Sequence, residues 1–256
     1  MKTIAALAHH TFLEAVRDKV LYLLLFFGLF AFGASRVLAP LALGEGRRIT
    51  IDVGLAGLSL FGCLMTIFVG HQLIFREVER KTLYFVFARP IRRSSFVLGK
   101  YLGLVLTLAC ATASMGLLLV LVLAASRYEF GLALFQAFGL VFLELSIVAA
   151  LAVLLASFTT PILAGLLTLA AYQVGHGSGD LFALLESSDG SGGAPWLQAI
   201  TWVVPRLDLY HDTWPVLTGA GFGPVHLTLA SAYAVIYASA CLVLAGIILE
   251  RRQLAL

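Results

Sequence analysis

Phe75-Arg76-Glu77-Val78-Glu79-Arg80-Lys81-Thr82-Leu83-Tyr84-Phe85-Val86-Phe87-Ala88-Arg89-Pro90-Ile91-Arg92-Arg93-Ser94-Ser95-Phe96-Val97-Leu98-Gly99-Lys100 sets a charged segment between two long apolar runs. Its first half predicts a helix, with Glu77 facing Lys81 at the i,i+4 spacing that stabilises one. Pro90 ends that helix at or just before Arg89, because proline lacks the N–H and crowds the preceding turn. Ser94 or Ser95 then caps a second helix, in which Gly99 and Gly103 form a small-xxx-small face open to close packing. The segment over 76–99 thus reads as a charged helical hairpin joined by short connections to two membrane spans. Pushed by a soluble partner, such an element would tilt both spans. Membrane-flanking bases alone explain Arg92 and Arg93, but acids add nothing to membrane retention, so Glu77 and Glu79 need another reason.

The rest of the chain is consistent with that setting. Of 256 residues, 61% are hydrophobic and 12% charged, and the mean hydropathy is +0.98. A soluble domain carries about 25% charged and about 45–50% apolar residues. This composition excludes a soluble enzyme, a nucleic-acid reader and a disordered chain, and predicts an all-α integral membrane protein. Continuous apolar runs of about 20 residues predict helices rather than alternating barrel strands. Six spans are expected, over 20–43, 53–75, 100–125, 132–156, a fifth from Ile162 interrupted after Val174, and 226–249. No cleavable leader is expected, since Glu14 and Asp18 interrupt the opening residues. Cys63, Cys110 and Cys241 lie inside apolar runs and read as small buried hydrophobes.

Most of the 17 basic residues fall on one side of these spans: Lys2, Arg17 and Lys19, the seven bases from Arg76 to Lys100 between the second and third spans, and Arg251 and Arg252. That side is expected to be cytoplasmic, with both termini inside. Arg47 and Arg48 fall on the outer side, flanked by Glu45 and Asp52. Within 1–19, Ile4, Leu7, Ala8, Thr11, Phe12 and Ala15 recur at helical spacing opposite Lys2, His9, Glu14 and Arg17, which predicts an amphipathic helix on the inner membrane surface. The stretch 175–225 opens with Gly175-His176-Gly177-Ser178-Gly179 and continues to Trp196, Trp202 and Trp214. Glycines break the fifth span and tryptophans favour the membrane boundary, so short helices at the outer interface are expected there.

Glu77-x-Glu79-Arg80-Lys81-Thr82-Leu83-Tyr84, followed by Arg89-Pro90-Ile91-x-Arg93 and Phe96-Val97-Leu98-Gly99-Lys100, resembles the ABC-2 type exporter permeases, in particular the NosY-like and gliding-motility-type groups. The resemblance extends to Thr11–Lys19, to Phe142-Leu143-Glu144-Leu145 and Ala156-Ser157-Phe158, and to Val204-Pro205-Arg206-Leu207-Asp208, with Arg206 where many relatives carry Asn. It implies a dimer of permeases, each bound to a separate ABC ATPase subunit, in a bacterial cytoplasmic (inner) membrane. The helix carrying Glu77, Glu79, Arg80, Lys81, Phe85 and Arg89 would be the coupling helix seated in that subunit. The chain has no Gly-x-x-x-x-Gly-Lys-Ser/Thr phosphate loop, since Gly99-Lys100 lacks both the upstream glycine and the following Ser or Thr. No enzymatic activity and no cofactor are therefore expected in this chain, and ATP and Mg belong to the partner. Lipids surround the permease, and a periplasmic partner is compatible with the outer helices. Cargo export and mechanical work on the cell envelope both fit the pattern.

Glu144 falls near the middle of the fourth expected span, where a charge costs roughly 2.5–3.5 kcal/mol on insertion scales. It must face protein or water, either as a pathway or gating residue or as a packing hydrogen bond. His71 and Gln72, at the inner end of the second span, are candidates for relaying hairpin motion or simply for an interfacial position. Arg36 is expected to snorkel outward. A stand-alone secondary transporter using Glu144 is the alternative, but such proteins place convergent polar groups on paired broken helices, and only the fifth span looks broken. Gly175-His176-Gly177-Ser178-Gly179-Asp180 invites an intramembrane hydrolase reading. Neighbours in a chain do not converge as a triad must, and His176 replaces the first glycine of a nucleophile elbow. The six histidines are scattered, so no metal site is expected.

Overall fold

The computed structural model describes residues 2–17, 45–79, 93–179 and 204–252, together with Tyr22, Phe26, Gly28 and Gly33. The described residues form helices: α1 (Lys2–Val16), α2 (Gly46–Glu79), α3 (Arg93–Ala125), α4 (Leu132–Phe158), α5 (Pro161–His176), α6 (Trp214–Thr218) and α7 (Pro224–Arg252), with a 3-10 turn at Asp208–Tyr210. Four are long and apolar enough to cross a membrane, over Gly46–Gly70, Ser95–Ala125, Leu132–Phe158 and Pro224–Leu249. The first expected span, with Arg36, falls almost wholly outside the described residues. The fifth is the 16-residue α5, shorter than the roughly 20 residues a full crossing needs.

The second span begins at Gly46 rather than Val53, so Arg47 and Arg48 sit inside its first turn. The charges do not delay the helix because Arg47 has partners in the folded bundle. Its guanidinium donates to the carbonyls of Glu129 (3.0 Å), Leu217 (3.0 Å) and Val216 (3.5 Å). One side chain thereby ties the start of α2 to the α3–α4 connection and to α6.

α4 is the hub, packed against α2, α3, α5 and α7. It is apolar on every side, as a helix surrounded by other helices must be. Ala230, Ala234 and Ala238 of α7, spaced four residues apart, are buried and let α7 close on α4. At the other end of the bundle, Phe96 and Val97, Val153, Ala245 and Leu249 share one cluster with Leu7. The start of α3, the end of α4, the end of α7 and α1 therefore meet there. Cys63 and Cys241 are buried, whereas Cys110 lies on the exposed face of α3.

α1 buries Thr11 and Ala15 and exposes His9, His10 and Arg17. It seats on the Gly99–Gly103 face. A Cβ at Gly99 would lie 2.6 Å from Leu7 Cδ2, and one at Gly103 would lie 2.5 Å from Thr11 Cβ and 2.7 Å from the Ala8 carbonyl oxygen. The contacts advance four residues on both helices together, so α1 runs alongside the first turns of α3. Lys100, itself buried, reaches Glu14 at 4.0 Å.

Candidate functional site

α5 ends halfway up the bundle. Pro161 starts it, where a missing N–H costs nothing, three residues after α4 closes at Phe158. Its 16 residues rise about 23 Å, which brings its last turn level with Glu144, about 21 Å above the end of α4. There Gly177 interrupts the helix, its N–H donating back to Gln173, and helical backbone resumes at Ser178 and Gly179.

Residues 204–211 pack beside this point, with Leu207 and Tyr210 buried in the bundle. Non-helical backbone at membrane depth persists only when its polar groups are paired within the protein. Here the Leu207 N–H donates to the Gly175 carbonyl (3.1 Å) and the Arg206 N–H to the Tyr233 hydroxyl oxygen (3.0 Å). His226 donates to the Leu209 carbonyl (3.1 Å), and the buried Tyr210 hydroxyl donates to the Ala230 carbonyl of α7 (2.7 Å). Gly175 permits this approach: a Cβ there would lie 2.7 Å from the Pro205 carbonyl oxygen. Trp214 is exposed at the start of the short helix α6, while Trp196 and Trp202 lie outside the described residues.

Glu144 lies at the foot of this segment, fully buried. Ser59 of α2 donates to its Oε1 at 2.7 Å. Ser59 Oγ also lies 2.7 Å from the Tyr172 hydroxyl of α5. A serine has one proton, and it is used on Glu144, so Tyr172 donates to Ser59. The result is a directed relay, Tyr172 to Ser59 to Glu144, across three helices. His176 closes the group, with Nε2 3.4 Å from Glu144 Oε1, Nδ1 3.2 Å from the Tyr172 carbonyl, and its ring 5.3 Å from that of His211. One donor atom from each of Glu144, His176 and His211 lies within 4.8 Å of the others. Side chains of types able to ligate a metal are thereby gathered from three separate elements.

Ser178 does not face His176. Its Oγ lies 2.8 Å from the Gly175 carbonyl and 2.9 Å from Asp208 Oδ1, its proton serving one at a time, and Asp208 also accepts from Arg206 at 3.1 Å. The hydrolase arrangement is not formed among these groups, and Asp180 lies outside the described residues. Of the residues singled out in sequence, Glu144 is thus at the centre of a polar cluster. His71, Gln72, Glu77 and Glu79 lie on the C-terminal part of α2, where the backbone alone is described and is helical. Arg80, Lys81, Phe85 and Arg89 lie outside the described residues. Ser59, Tyr172, His176 and His211 were not picked out for this cluster. The one local signal was the four-residue spacing of Tyr172 and His176, two polar rings on one face of an apolar helix.

Long apolar helices around a hydrogen-bonded polar centre define a multi-pass helical membrane protein. Residues 5–184 match the family model of the ABC-2 family transporter proteins. The chain belongs to that family of membrane transport subunits. No curated protein matches it.

Proposed function

We propose that this chain is the permease of an ABC exporter, driven by a separate ATP-hydrolysing subunit that grips the connection between α2 and α3. The family supports the general role. The observation that carries the coupling is the unbroken course of α2 from Gly46 to Glu79. Its 34 residues span roughly 50 Å, against a hydrocarbon core of about 30 Å. One rod therefore carries Glu77 and Glu79 at its inner end and Ser59, with its bond to Glu144, about 27 Å further along. A helix does not compress, so displacement of the inner end reaches the Ser59–Glu144–Tyr172 contact.

In this reading Glu77, Glu79, Arg80, Lys81, Phe85 and Arg89 engage the ATPase, and His71 and Gln72 lie on the lever between hairpin and core. Glu144 gates the route, or holds the helices whose movement opens it. ATP and Mg bind to the partner. Two permeases pair, both termini face the cytoplasm of a bacterial inner membrane, and the work done is export or force on the envelope.

The test is co-purification of the detergent-extracted chain from its native membrane with an ATPase assay, comparing wild type with Glu77→Lys/Glu79→Lys. Charge reversal is expected to release a nucleotide-hydrolysing subunit while leaving the permease monodisperse. If no such subunit accompanies the wild type, the coupling reading fails, and proton-dependent transport abolished by Glu144→Gln would favour a secondary transporter.

A further inference from the structure

We infer that Glu144, His176 and His211 form a binding site for a divalent transition-metal ion of the zinc class, which clasps the re-entrant segment 204–211 to the bundle.

The inference begins with proton positions. His176 Nδ1 lies 3.2 Å from the Tyr172 carbonyl oxygen. A carbonyl only accepts, so Nδ1 carries the hydrogen, and Nε2 of the neutral ring presents a lone pair. That lone pair faces Glu144 Oε1 at 3.4 Å. Two acceptors directed at each other repel unless something positive lies between them. A proton would serve only those two atoms. Yet Glu144 Oε2, His176 Nε2 and His211 Nδ1 are all buried without a hydrogen-bond partner. Three buried groups, each with a polar atom that has no hydrogen-bond partner and each able to bring a ligand atom within 4.8 Å of the others, match a metal ion better than a single proton.

The geometry and chemistry agree. With metal–ligand bonds of about 2.0–2.2 Å, tetrahedral coordination sets ligand atoms about 3.4 Å apart. The His176–Glu144 edge, at 3.4 Å, has that length already. The longest separation in the group, at most 4.8 Å, must contract by about 1.4 Å for tetrahedral zinc, a movement within reach of an imidazole rotation. Two imidazoles and a carboxylate are a donor set suited to zinc. His176 is also held as ligating histidines usually are, its other ring N–H given to a backbone carbonyl. Ser59 steadies the carboxylate from α2 in the same way.

The three ligands come from α4, from the last residue of α5, and from the residue after the 3-10 turn. An ion bound to all three pins 204–211 against the helices where α5 stops. This inference is independent of the ATPase reading.

The full-length chain, purified without a polyhistidine tag or chelator, is analysed for metal content and then stripped and titrated with Zn²⁺ and Co²⁺. About one ion per chain is expected, with cobalt giving the intense visible bands of a tetrahedral N/O site. His176→Ala, His211→Ala and Glu144→Gln each lose it. The exposed pair His9→Ala/His10→Ala retains it. His211→Cys retains cobalt and adds a thiolate charge-transfer band, a signature that a merely structural histidine would not produce. The inference is overturned if the wild type takes up no stoichiometric ion, if binding survives all three ligand substitutions, or if it follows His9 and His10.

Discussion

The Gly103→Ala substitution adds one methyl group where α1 comes closest to α3. The new carbon would lie 2.5 Å from Thr11 Cβ, 2.6 Å from Thr11 Cγ2 and 2.7 Å from the Ala8 carbonyl oxygen. Ordinary carbon contacts are about 3.5–4.0 Å, so α1 must withdraw by about 1 Å. Two effects oppose each other. Alanine in place of glycine favours the helix by about 0.8–1 kcal/mol. Overpacking costs about 1–3 kcal/mol, and more of it is felt where the neighbour cannot rotate away. Here one neighbour is backbone and another is a Cβ on a fully buried residue, so the clash wins and α1 loosens by about 1–2 kcal/mol net, roughly a tenfold shift in its docking. A 15-residue helix is marginal alone, which makes α1 dependent on this contact. The assay is thiol labelling at Ala15→Cys, a position 1% exposed, in a Cys110→Ser background that removes the exposed native thiol. Labelling is expected to accelerate about tenfold in Gly103→Ala, following that shift. It should accelerate less in Gly99→Ala, where the nearest atom is the flexible tip of Leu7. Unchanged labelling together with a more stable protein would show that helix propensity dominates and that α1 is not seated on Gly103.

Ser59→Ala removes both bonds of the relay and is expected to cost about 1–3 kcal/mol, whereas Tyr172→Phe, which leaves Ser59 on Glu144, costs about 0.5–1.5. Equal losses in thermal melts would contradict the Tyr172-to-Ser59-to-Glu144 order. Gly175→Ala drives a Cβ against the Pro205 carbonyl, and the amide of Leu207, bonded to Gly175, should exchange faster by hydrogen-exchange mass spectrometry; unchanged protection there would place the segment elsewhere. Arg47→Lys keeps the charge but cannot serve three carbonyls from one ammonium, so a loss of about 1–3 kcal/mol is expected. Wild-type melting of that variant would mean that the fork does not hold the outer end.

Local features of the chain carried much of the architecture. Apolar runs long enough to span a bilayer, with glycine and proline at their breaks, place α3, α4 and α7 and end α5 near His176. The amphipathic spacing over 1–19 marks the buried face of α1, and Gly99 and Gly103 mark where it docks. Each signal lies within a few turns of one helix, where 3.6-residue periodicity records which face is covered. The start of α2 was misjudged because Arg47 reads as a loop charge until its three acceptors, from two distant segments, are seen.

What only the tertiary structure decided is the company Glu144 keeps. Its cost in a membrane is readable from one residue, but its partners are Ser59, Tyr172 and His176, from helices on either side of it in sequence. His176 and His211 are far apart in sequence, with no metal-ligand spacing, so linear distance hid their convergence. It arises because α5 stops short, and the chain returns into the gap with its backbone paired to Gly175, Tyr233 and His226. Long-range convergence of this kind leaves no period in a sequence. It follows from how helices of unequal length pack around α4.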